Sequence, residues 1–94
     1  MSERTAAALA RMDTLLPQIS ALSASGERDQ LEEEAQSLRR AIAAFHMEAI
    51  RFRMYNVDRL LKVAGAPETT AATFEALRVE LETAGFHTRS HTAP

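Results

Sequence analysis

Arg39, His46 and Arg53 stand seven residues apart. On a continuous helix that spacing places all three along one line. Such a cationic ladder could hold a small anion or an acidic peptide, and an imidazole within it could accept a phosphoryl group. The neighbours of His46 and Arg53 are apolar: Ala49, Ile50, Phe52 and Met54. A charge placed there is costly unless it is paired. The expected arrangement is therefore structural. His46 and Arg53 should be at least half-buried in a helix–helix seam, facing Glu75, Glu80, Glu82 or a carboxylate of a second chain, with their stems covering apolar surface. The flanking stretch Ala44-Phe45-His46-Met47-Glu48 carries no phosphotransfer signature. Asn56 continues an apolar heptad seam, where a buried Asn sets register and oligomeric state. Arg39, His46, Arg53 and Asn56 are the candidate partner- or anion-binding residues.

Other chemistry finds no support. His87 and His91 are four apart but follow a helix stop at Gly85, which argues against a chelating pair. No Glu-x-x-His occurs, so a bundle-core di-iron arrangement is not supported. The three glycines are isolated and form no phosphate loop. Ser20, Ser23 and Ser25 cluster far from any His, and there is no Cys for a thiolate nucleophile, a disulfide or a metal site. No catalytic residue, metal ligand or cofactor is expected, and the chain reads as a non-enzyme.

The elements that position these residues follow from punctuation. From Glu27 to Ala64 the chain runs 38 residues without Gly or Pro, between Gly26 and the Gly65-Ala66-Pro67 group. Its apolar spacing predicts one long helix of roughly 57 Å, the spine of the molecule. Asp29 with Glu32 resembles a capping box. Acidic first turns and a basic end, Arg59 and Lys62, complement the helix dipole. Helix 1 is expected over about 3–24, N-capped by Ser2 and kinked or broken at Pro17. Helix 3 is expected over about 67–84, with Pro67 at its first position. Residues 1–85 thus form one helical domain, followed by a flexible tail over 86–94, with Phe86 positioned to fold back on the helix end.

The stripes on these helices set the packing. Helix 1 carries Ala8, Met12, Leu15, Ile19 and Leu22, and helix 3 carries Thr70, Phe74, Leu77, Leu81 and Ala84. The spine has two stripes. One is Leu31, Ala35, Leu38, Ile42, Phe45, Ala49 and Phe52; the other is Met47, Ile50, Met54, Val57, Leu61 and Ala64. On one straight helix they are nearly opposite where they overlap. Helix 1 should therefore cover the first half of the spine and helix 3 the second, giving a three-helix antiparallel arrangement around a central helix. The second half stays apolar over more than half its circumference, with Leu60 and Val63 adding to it. That surplus implies a homodimer closing a larger bundle, with Phe52, Met54, Val57, Leu60, Leu61 and Val63 at the interface.

Composition agrees with this class. In 94 residues, 46% are apolar and 26% charged, with a net charge of −2, which neither disfavours a core nor draws the chain to nucleic acid or anionic membrane. No apolar run reaches the length of a transmembrane span, and Met1 to Ala10 is not expected to act as a secretory signal, so a cytoplasmic location is the expectation. The functional expectation is an all-α protein–protein interaction module, an adaptor, regulator or inhibitor, whose partners are a second copy and another protein. One alternative is a nucleic-acid-binding regulator using the arginines of the long helix. A third reading is a helical phosphotransfer protein using His46.

Overall fold

The computed structural model describes residues 5–86 and 88, and within them the chain forms four α-helices. They are α1 (Ala6–Ser20), α2 (Gly26–Ala43), α3 (Met47–Val63) and α4 (Glu68–Thr83). The three-helix arrangement around one long helix is corrected: the stretch 27–64 is two helices, broken at residues 44–46.

Backbone bonding explains the break. At the end of α2 the Phe45 N–H donates to the Ile42 carbonyl and the His46 N–H to the Ala41 carbonyl. This double bond pattern is a Schellman terminator. Gly65 and Ala66 end α3 in the same way, as do Gly85 and Phe86 for α4. In the latter two the left-handed residue is glycine, with φ of 65° and 98°. At the α2 end it is Phe45, with φ 61°. A side chain in that conformation costs roughly 1–2 kcal/mol, so something larger must hold the corner. The gain is burial of α3. Ile50, Met54 and Val57 are fully shielded and Leu61 nearly so, worth together roughly 6–12 kcal/mol as an upper estimate.

The corner also reconciles the two stripes. Leu31, Ala35, Leu38 and Ile42 of α2 and Ile50, Met54, Val57 and Leu61 of α3 all enter one core. Stripes that diverge on a straight helix converge when the helix doubles back between them. The first seam accordingly stops at Ile42, and Phe52 is 56% exposed.

Helix α2 packs on α3 and on α1, and α4 packs on α1; α3 and α4 meet only slightly. The last helix therefore covers α1 rather than the second half of the former spine. α1 contributes Ala8, Leu9, Met12, Leu15 and Ile19 to the core, and α4 contributes Phe74, Leu77 and Leu81. The Cα envelope measures 33 × 32 × 20 Å.

Several helix ends differ from expectation. α1 begins after Thr5 and runs through Pro17 to Ser20. The proposed Ser2 cap lies outside the described residues. α2 is capped by Ser25, whose hydroxyl oxygen accepts from the Arg28 N–H at 3.0 Å, so Asp29 and Glu32 lie inside the helix rather than forming its cap. Pro67 is the N-cap of α4 rather than its first residue. Phe86 and Thr88 are buried; the rest of the expected tail, His87 and residues 89–94 with His91 among them, lies outside the described residues.

Candidate functional site

The expected ladder of Arg39, His46 and Arg53 does not form. His46 lies on the corner, exposed rather than half-buried. It is the N-cap of α3, and its Nδ1 accepts from the Ala49 N–H at 3.3 Å. That bond needs a lone pair on Nδ1 and so selects the neutral Nε2–H tautomer. Arg39 faces α1, where its Nε is 3.0 Å from Asp13 Oδ1 in a pair with both side chains well exposed.

Arg53 and Asn56 do come together, and the residue that unites them is Glu34 of α2. Arg53 Nη1 donates to both Glu34 oxygens, at 2.8 and 3.1 Å, and Asn56 Nδ2 donates to Oε1 at 3.2 Å. The Arg53 and Glu34 side chains retain 33% and 23% of their exposure. The guanidinium carbon also sits 5.3 Å from the centre of the Phe52 ring. This cluster fastens α2 to α3 across the corner and gives both charges a partner as they leave water. The carboxylates expected to meet Arg53 are engaged elsewhere. Glu80 pairs with Arg11 at 3.3 Å, Glu75 with Arg78 at 3.4 Å, and Glu82 accepts from the Thr88 hydroxyl at 3.1 Å.

Sequence reasoning missed Arg78. It is 7% exposed, lies 5.2 Å over the Phe74 ring, and donates through Nη1 to the Thr88 carbonyl at 2.9 Å. It ties the segment after α4 to the body. The signal was legible, since Arg78 is four residues after Phe74 and three before Leu81, within the buried stripe.

Four of the six expected interface residues, Met54, Val57, Leu60 and Leu61, are buried within the single chain. They cannot meet a second chain docked on this fold. Phe52 and Val63 stay exposed, at 56% and 58%, together with Tyr55 at 48%. With Glu48 and Arg59, also exposed, they occupy an arc of roughly 80° on the outer side of α3.

Where α3 and α4 diverge there is a cleft of about 340 Å³ lined by Asp58, Leu61, Lys62, Ala71, Phe74 and Glu75. Its floor is apolar. Its charged rim is internally matched, Lys62 with Asp58 at 3.1 Å and Glu75 with Arg78. No nucleophile and base converge on it, and among the described residues no group of three acidic or imidazole side chains could hold a metal. Nor, among the described residues, is any helix long and apolar enough to cross a membrane. Compared with family models, curated proteins and solved structures, the chain shows no significant match.

Proposed function

We propose that the chain is a non-enzymatic helical interaction module that self-associates through the outer face of α3 and offers the resulting dimer to another protein. The observation that supports this reading is the exposed ridge of Phe52, Tyr55 and Val63. The ridge is self-complementary. Two α3 helices crossing antiparallel about a dyad between Arg53 and Met54 set Phe52 against Tyr55 of the copy and Glu48 against Arg59 of the copy. Each apolar residue then meets an aromatic, and each charge its opposite, on a symmetric patch of the kind a twofold dimer uses. Val63 falls opposite the corner of the copy, where Phe45 is 37% exposed. Aromatic anchors within a charged rim are the usual composition of an interface centre.

Light scattering coupled to size exclusion, from low to high micromolar loading, tests the association. The expected result is a mass that rises toward twice the chain mass and falls to a single chain in a Phe52→Ser, Val63→Ser variant. A native chain that stays strictly monomeric across that range would refute the proposed self-association.

A further inference from the structure

The α2–α3 corner closes in three residues without Gly or Pro, and Phe45 is the only non-glycine residue at positive φ among those described. Good helix formers flank it: Ala43 and Ala44 before, Met47 and Glu48 after. Nothing in the local sequence opposes a continuous helix from 27 to 64. What opposes it is tertiary: burial of α3 against α2, the Phe45 ring 5.5 Å from that of Phe86, and the His46 cap.

We infer that a second copy of this chain can supply that burial, giving an exchanged dimer. Residues 27–64 straighten into one helix of roughly 57 Å, and the α3–α4 half of each copy packs on the α1–α2 half of the other. The occupant is a second copy because it alone reproduces every contact that crosses the corner. The packing of α2 on α3 and of α1 on α4, and the Arg53–Glu34–Asn56 cluster, all re-form between chains. Only the contacts of Phe45 and His46 within the corner are given up. In exchange, two left-handed side-chain conformations are relieved and two helices gain continuous backbone bonding. A short, strained hinge between two mutually packed halves is the setting in which such exchange occurs. The inference does not depend on docking through the outer face of α3.

Hinge variants test it. Phe45→Gly relaxes the corner and penalises the straight helix, whereas Phe45→Ala with His46→Ala removes the corner contacts and favours it. Phe45→Gly should raise the dissociation constant of the exchanged dimer roughly a hundredfold, about tenfold per hinge. The double alanine variant should lower it by at least about tenfold. Because the chain has no Cys, spin labels can be placed through Glu33→Cys and Lys62→Cys, 29 residues apart. With labelled chains diluted into unlabelled ones, the isolated dimer should give an intrachain separation of roughly 44 Å, against a much shorter one in the monomer. The Phe52→Ser, Val63→Ser variant should keep this species while losing any dimer docked through α3. A dimer indifferent to Phe45→Gly, one that keeps the short intrachain separation, or a double alanine variant still monomeric near millimolar concentration would overturn the inference.

Discussion

Arg53 and Arg39 share one line of the heptad spacing, but of the two only Arg53 is expected from the sequence to be half-buried, and their surroundings in the fold differ accordingly. Arg53 shares a partly buried carboxylate with Asn56, whereas Arg39 meets Asp13 in a well exposed pair. Arg53→Ala leaves Glu34 with one neutral donor and should cost about 1–2 kcal/mol. Arg39→Ala should stay within about 0.5 kcal/mol. Urea unfolding of the two variants measures the contrast, and equal losses would mean that the α2–α3 seam is more open than described. His46 makes a second test. As an N-cap it should tolerate Asn, whose side-chain oxygen also accepts, while His46→Ala should lose about 0.5–1 kcal/mol. Thermal melts at fixed pH compare the two. That Arg53 needs a carboxylate was legible from its apolar neighbours. Which carboxylate was not, because the choice of Glu34 depends on where the chain turns.

At the scale of the helices, most was legible and one junction was not. The stripes of α1 and α4, and both stripes of the long apolar stretch, are the buried faces of the fold, apart from partly covered ends and the exposed Phe45, Met47 and Phe52. The break at 44–46 escaped because its left-handed position is filled by Phe45, where the other two Schellman ends use Gly65 and Gly85. Local propensity favoured continuing the helix, and the burial of α3 overrode it. The two nearly opposite stripes were a legible warning, since one core cannot receive both from a straight helix. The strain at Phe45 is measurable. Phe45→Gly and Phe45→Ala both remove the ring from Phe86, but only glycine relaxes the positive φ. The glycine variant should therefore be more stable by about 1 kcal/mol. Denaturant midpoints of the two proteins give the answer, and an alanine variant as stable as the glycine one would remove the strain argument.

For the molecule as a whole, the consequence is a change in what is left to cover. The doubled chain buries Met54, Val57, Leu60 and Leu61 and leaves Phe52, Tyr55 and Val63 among its exposed large apolar side chains. The expectation of association thus narrows from a broad apolar half-helix to one ridge. The four-helix fold of the single chain and the exposure of the α3 ridge both rest on residues 27–64 being folded back on themselves. Small-angle X-ray scattering, extrapolated to infinite dilution so that dimers do not contribute, tests this most directly. The folded-back chain has a Cα radius of gyration of 12.3 Å and a longest principal extent of 33 Å. The scattering should return a radius within a few ångströms of the first and, with side chains, tail and hydration, a maximum dimension clearly below about 57 Å, the length of the straight helix. A maximum dimension of about 57 Å or more at infinite dilution, with a radius enlarged to match, would contradict it.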